Sequence, residues 1–269
     1  MKIFKLSLIA ASFLLIGCGG GGGSSTPELT SIDTVEEATT SYKAVESFES
    51  IDISSVDSGY SKMSSKMQKA ESASCTDGGT LSYDASTDGT SMVISYDNCQ
   101  MGSQYYNGTV SVTLGGNQQV IKISNYTYRD IGGEEYMNIV MTQSLSSDDV
   151  ITTLFDGVIN QKNNSNEVSN MSFSNMKIAE KDSYSESWST IDGIIGLESK
   201  CVTGTYQFKT IEKLVDAKDE SFNTESGILD INGATYTFEN PYVTIKTVTE
   251  EKTILQSELM EDAESTSCN

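Results

Sequence analysis

Histidine is absent from the 269 residues, proline occurs only twice, and there is a single tryptophan, Trp188. Without histidine, Ser-His-Asp and Cys-His catalysis are closed, and the commonest metal ligand is missing. Basic residues are scarce: 17 Lys and Arg, of which Arg129 is the one arginine, stand against 38 Asp and Glu, a formal charge of -21. A chain this acidic has no basic face for a phosphate backbone, so nucleic acid is excluded as a partner. One tryptophan is too few for a Trp-lined sugar platform. Long apolar runs are missing too. The stretch Leu6 to Ile16 is about half of the roughly 20 residues a membrane-spanning helix needs.

That short run is informative in its setting. Lys2 and Lys5 precede it and Gly17-Cys18 follow, the layout of a secretory signal with a positive head and a short apolar body. It ends in Leu15-Ile16-Gly17-Cys18 instead of a small-x-small cleavage site. This resembles the lipobox of bacterial lipoproteins, whose precursors are cut before a cysteine that has received diacylglycerol. The resemblance covers residues 1–18 and implies that Cys18 becomes a lipidated, palmitate-bearing N-terminus. A multi-chain anchor of that kind holds where one acyl chain is marginal. The family's inner-membrane retention signal is an aspartate after the cysteine. Gly19 stands there, so the resemblance implies a cell-envelope protein at the outer membrane, on its periplasmic or surface face.

Five glycines, Gly19 to Gly23, and then Ser24, Ser25, Thr26 and Pro27 form a flexible tether over residues 18–29. They are not a phosphate loop, because no strand precedes them and no Lys-Ser/Thr pair follows. Losing Lys2 and Lys5 with the signal (residues 1–17) leaves 15 basic residues against 38 acids, a charge of -23. Anionic head groups repel such a chain, so the lipid itself must hold it to the membrane.

Five cysteines less the anchor leave Cys75, Cys99, Cys201 and Cys268. An even number in an exported chain points to two disulfides, with three connectivities open. Cys75 with Cys99 is favoured because the two flank an apparent hairpin, which leaves Cys201 for Cys268. There is no Cys-x-x-Cys and no histidine, so no metal is expected. No cofactor is implied.

The mature chain changes texture once. Over residues 30–74 the pattern is helical: Ile32, Val35, Ala38, Tyr42, Val45 and Phe48 recur at spacings of three and four. Asp33 with Glu36 offers a capping-type start. A second, weaker helix follows Ser55, with Tyr60, Met63, Met67 and Ala70 on one side. From Cys75 to residue 269 the signature is β. Val110, Val112 and Leu114 alternate with polar residues, as do Met137, Ile139 and Met141, Ile228 with Asp230 interrupting, and Tyr236 with Phe238. Asp88-Gly89, Gly115-Gly116-Asn117, Gly132-Gly133, Asp148-Asp149, Asn163-Asn164 and Asn232-Gly233 read as turns.

Short phrases recur. Ile123-Ser124-Asn125-Tyr126 resembles Phe173-Ser174-Asn175-Met176, and Asp156-Gly157-Val158-Ile159 resembles Asp192-Gly193-Ile194-Ile195. Asn107-Gly108, Thr203-Gly204 and Ser226-Gly227 each read as the opening of a strand. The spacings between phrases differ, which argues against a solenoid and for recurrent hairpin chemistry in one sheet. The expected fold is mainly β: a large curved antiparallel meander of about ten to twelve strands, half-barrel or sandwich-like, preceded by one or two helices that cover its concave face. Ser, Thr and Asn on the strand faces disfavour a closed outer-membrane barrel.

Chemical motifs are weak. Asp84-Ala85-Ser86-Thr87-Asp88-Gly89 resembles the start of an EF-hand loop, but the twelfth position is Ser95 and not Glu. A hairpin turn is the favoured reading. Glu134-Glu135, Asp148-Asp149 and Glu250-Glu251 are adjacent acids, and neighbours on a strand point to opposite faces instead of converging on a bond. Tyr105, Tyr106, Tyr126 and Tyr128 offer stacking surfaces, with a core or interstrand role favoured. No catalytic residue is assigned. The arrangement of Cys75, Gly78-Gly79, Asn98-Cys99 and Asn107-Gly108 resembles uncharacterised bacterial lipoproteins, which carries no activity with it. Two functions are expected in order: a non-catalytic binding or structural role toward an apolar ligand, lipid or protein partner, and, second, an envelope polysaccharide hydrolase using paired carboxylates.

Overall fold

The computed structural model describes residues 28–49, 71–163, 168–183, 186–198, 202–217 and 224–259. Cys18, the helix expected after Ser55, Cys201 and Cys268 lie outside these residues.

Helix α1 spans Val35–Glu49. Its cap is reciprocal: the Glu37 N–H donates to the Thr34 hydroxyl (3.2 Å) while the Glu37 carboxylate accepts from the N–H groups of Thr34 (2.9 Å) and Asp33 (2.8 Å). These bonds hold the Glu37 carboxyl below the usual carboxylate range, the Asp33 N–H contributing most. The cap therefore falls one residue later than the Asp33 and Glu36 pair. The Asp33 carbonyl accepts the Thr247 hydroxyl at 2.7 Å, which ties residue 33 to the sheet. Ile32, Val35 and Ala38 are buried as the periodicity requires, and Ser41 is buried beside them.

Fourteen strands follow in one antiparallel sheet whose spatial order is the chain order. They are β1 (Glu71–Ser74), β2 (Thr80–Ala85), β3 (Ser91–Met101), β4 (Gln104–Gly115), β5 (Gln118–Asp130), β6 (Gly133–Leu145) and β7 (Ile151–Asn163). The second half comprises β8 (Val168–Asp182), β9 (Ser187–Glu198), β10 (Thr203–Asp216), β11 (Thr224–Ile231), β12 (Ala234–Glu239), β13 (Tyr242–Lys246) and β14 (Glu251–Leu255). The sheet is not closed into a barrel. It begins at Glu71, so the last residues of the expected helical segment are strand. Ser72, Ala73 and Ser74 have short side chains, and pairing of the segment with Thr80–Tyr83 on β2 decides its conformation.

One face of the sheet is apolar along its whole width. Tyr83, Ile94, Val110, Ile123 and Ile139 meet in register across β2 to β6. Phe173 and Ile195 on β8 and β9 and Tyr206 on β10 continue the row, and beside it Phe208 pairs with Ile231 on β10 and β11. All are buried in one continuous cluster. We call this the inner face. Helix α1 lies on it over β11 to β13: the Tyr236 hydroxyl donates to the Ala38 carbonyl (2.5 Å) and lies 3.0 Å from the Ser41 hydroxyl. The Tyr42 ring sits 5.6 Å from that of Tyr236 and 6.3 Å from that of Phe238. On β11 the core residues are Leu229 and Ile231, whereas Ile228 and Asp230 face outward, opposite to the alternation read from the sequence.

The recurrent phrases are β-bulges. In β3, β5 and β8, an asparagine with positive φ (Asn98, 50°; Asn125, 48°; Asn175, 51°) sits where the register shifts by one residue. Each lies between buried residues three apart instead of two: Tyr96 and Cys99, Ile123 and Tyr126, Phe173 and Met176. Without that extra residue, everything after it would turn to the opposite face. The facing strand supplies a glycine, which permits the close approach. A Cβ on Gly108 would lie 2.3 Å from the Asn125 carbonyl oxygen, and one on Gly193 would lie 2.6 Å from Met176 Cα. Gly108 and Gly227 are thus inside their strands and do not open them. Bulges increase local twist, and fourteen strands cannot stay flat.

Candidate functional site

The inner face has two rims. Among the fully described turns, the near end of the sheet carries β1–β2, β3–β4, β5–β6, β11–β12 and β13–β14, and the far end carries β2–β3, β4–β5, β6–β7 and β12–β13.

At the near rim a row runs Cys99, Tyr106, Tyr128, Glu135, Gln161 across β3 to β7. Tyr96 stacks on Tyr106 at 5.4 Å, meets Tyr126 edge-on at 5.9 Å, and Tyr106 packs on Tyr128 at 5.2 Å. A polar chain borders the rings. The Tyr106 hydroxyl donates to Gln104 Oε1 (3.0 Å), Gln104 Nε2 donates to the Tyr128 hydroxyl (3.1 Å), and that hydroxyl donates to Asp130 Oδ2 (2.8 Å). Burial, with the Tyr106 ring beside it, pushes the Tyr96 phenol up to about 12. Burial and the bond to Asp130 push Tyr128 to about 12. The rim is an aromatic surface bordered by the Gln104 amide and the carboxylates of Asp130 and Glu135, suited to stacking and hydrogen bonding.

Of the four tyrosines singled out, Tyr126 is buried in the core. Tyr105 is on the outer face, where its hydroxyl donates to Asn98 Oδ1 (2.9 Å) and the Arg129 guanidinium lies 5.1 Å from its ring. Tyr106 and Tyr128 alone are half-buried on the rim. Trp188 is 7% exposed and lies under the Lys213 ammonium, 3.5 Å from the ring.

At the far rim Ile151, Glu180, Ser189 and Leu214 are in register. Asp182 pairs with Ser187, whose hydroxyl donates to Asp216. Burial raises the Glu180 carboxyl above its ordinary value, helped by the charges of Asp216 and Asp182. Sequence reasoning missed Glu180 and Asp182 because the bulge at Asn175 inverts the alternation on β8. Counted from Phe173 they belong outside; counted from Met176 they belong inside.

The paired acids are separated as the strand geometry demands. Glu134 bridges Arg129 on the outer face (2.7 Å), while Glu135 accepts from Gln161 Nε2 on the inner face (2.8 Å). Glu250 accepts the Val35 N–H (3.0 Å) and Glu251 bridges Lys246 (3.2 Å). Asp148 and Asp149 form the β6–β7 turn. The Asp84–Gly89 segment ends β2 and turns into β3. There the hydroxyl of Ser86, then the N–H and hydroxyl of Thr90, hold the Asp88 carboxyl down to about 2. No group of acids or cysteines among the described residues is arranged to hold a metal ion.

Cys75 and Cys99 are bonded, with Cα atoms 5.5 Å apart. The bridge ties the β1–β2 turn to the buried Cys99 beside the first bulge. No described helix is long and apolar enough to cross a membrane. Comparison with known family models, characterised proteins and solved structures finds no match.

Proposed function

We propose that the chain is a lipid-anchored protein of the cell envelope, held at the outer membrane through Cys18, with a non-catalytic binding or structural role toward an apolar ligand, lipid or protein partner. One observation carries this reading: Leu15-Ile16-Gly17-Cys18 closes a short apolar run behind Lys2 and Lys5 and is followed at once by five glycines. The aromatic near rim supports the binding role, because half-buried rings beside neutral donors suit a ligand with an apolar face. Metabolic labelling with a palmitate analogue tests the anchor. The full chain should incorporate label and sediment with membranes, and Cys18→Ser should do neither. Labelling that survives Cys18→Ser, or a wild-type chain that is secreted free, would reject it.

The envelope polysaccharide hydrolase is the second reading, favoured by one feature, the raised Glu180 carboxyl among Asp182 and Asp216 at the far rim. It requires that the protein release sugars from envelope polysaccharide and that Glu180→Gln abolish that release. Equal release by the two proteins would end it.

A further inference from the structure

We infer that the near end of the sheet rests on the membrane surface, with the tips of the β5–β6 and β13–β14 turns dipping into the head-group region of a zwitterionic bilayer. This inference rests on the lipid anchor at Cys18. The first described residues lie at the near end. The Thr30 N–H donates to the Thr205 carbonyl (2.9 Å), the Thr205 N–H donates to the Thr30 hydroxyl (2.8 Å), and Asn232 Nδ2 donates to the Thr30 carbonyl (2.8 Å). Asp33 is then held to the β13–β14 turn by Thr247. Thr30 is 12 residues beyond Cys18, and a Gly/Ser-rich tether of that length has a mean span of about 20 Å. The strands β5, β6 and β7 are each 13 residues long, which carries the far end about 40 Å further away. The tether therefore keeps the near end, and not the far end, within reach of the bilayer.

The described turn tips differ in the same sense. At the near end Ile131 is 81% exposed and Val248 84% exposed, more than any other large apolar residue described. At the far end the tips carry Asp88, Asn117, Asp148, Asp149 and Asn240. Two acids at the near end are taken up by turn amides: Asp77 on the β1–β2 turn accepts the Gly102 N–H of the β3–β4 turn (2.7 Å), and Asp130 accepts the Gly132 N–H (2.6 Å) and the Tyr128 hydroxyl. An apolar side chain at a tip gains by entering the interface. The surplus of acid over the whole chain makes an anionic surface a poor partner, which selects zwitterionic lipid.

The test uses the full lipidated chain in phosphatidylcholine vesicles containing acyl-brominated lipid, which quenches tryptophan at the interface. Trp188, buried under Lys213, supplies a constant background. Three variants carry one added reporter each: Ile131→Trp and Val248→Trp at the near end, and Tyr242→Trp at the far end. All three should float with vesicles, and quenching at the two near-end positions should be at least threefold that at the far-end one. Equal quenching in floating protein would overturn the orientation while leaving the anchor intact. Wild-type protein that fails to float would overturn the anchor and this orientation with it.

Discussion

The backbone N–H of Asn175 on β8 donates to Oδ1 of Asp156 on β7 at 2.8 Å. Asn98 and Asn107 repeat the bond at 3.2 Å on β3 and β4. In each case a positive-φ asparagine has its amide taken by an Asx side chain on one neighbouring strand, while a glycine makes room on the other. Removing the acceptor leaves a backbone donor without its partner. Asp156→Ala should lower the unfolding free energy by about 0.5–1.5 kcal/mol, read from urea denaturation, because water reaches the exposed amide. Asn175→Gly should be far milder, since glycine accepts a φ of 51° without strain.

Gly193 is the matching glycine of that bulge. A methyl group there would meet the Met176 Cα and the Asn175 carbonyl at under 3 Å, at a φ of 135°. Neither atom can withdraw, because both belong to the backbone. Gly193→Ala should cost on the order of 3 kcal/mol or more, combining backbone strain with overpacking. Gly115→Ala serves as the control: nothing lies within 4 Å of its added Cβ, and its melting temperature should match the wild type.

The phenols of Tyr96 and Tyr128 are raised to about 12, mainly by burial, and burial raises Tyr126 and Tyr236 as well. An unfolded tyrosine titrates near 10. The folded state therefore favours the protonated phenols. Their contribution is complete below pH about 10 and is lost as pH rises toward about 12. Absorbance at 295 nm should show an early phase from exposed tyrosines and a delayed one that coincides with loss of the near-ultraviolet dichroism. A single phase centred near pH 10 with the dichroism intact would contradict the buried ladder.

The Cys75–Cys99 bridge spans 24 residues, for which loop-closure entropy suggests a contribution of about 3 kcal/mol. The double variant Cys75→Ser, Cys99→Ser should unfold at correspondingly lower urea. The loss should be concentrated in β1 to β3, where hydrogen exchange ought to quicken most. Uniform acceleration across all strands would mean that the bridge supports the whole sheet instead of its first edge.

Much of this architecture is local and therefore legible in the chain. The helix stripe Ile32, Val35, Ala38 and the alternations at Met137 to Met141 and Tyr236 to Phe238 identify the buried faces. Turn chemistry at Asp88-Gly89, Gly116-Asn117 and Asn232-Gly233 separates the strands and makes neighbours antiparallel. The Ile123-Ser124-Asn125-Tyr126 and Phe173-Ser174-Asn175-Met176 phrases were visible as repeats, but their meaning was not. A bulge is a relation between strands, and nothing within one strand says that its partner is short by a residue.

The rims show the same divide. Cys99 reaches the inner face because of the bulge at Asn98, Tyr128 joins Tyr106 there because of the bulge at Asn125, and Glu180 reaches it because of the bulge at Asn175. Composition and local pattern alone determined the acidity, the absence of histidine chemistry, the lipobox resemblance, the meander of strands and its leading helix. Register decided which side chains share a face, which acids meet and which tyrosines remain accessible. Register is chosen by packing across the sheet, where a one-residue shift on one strand inverts every residue beyond it.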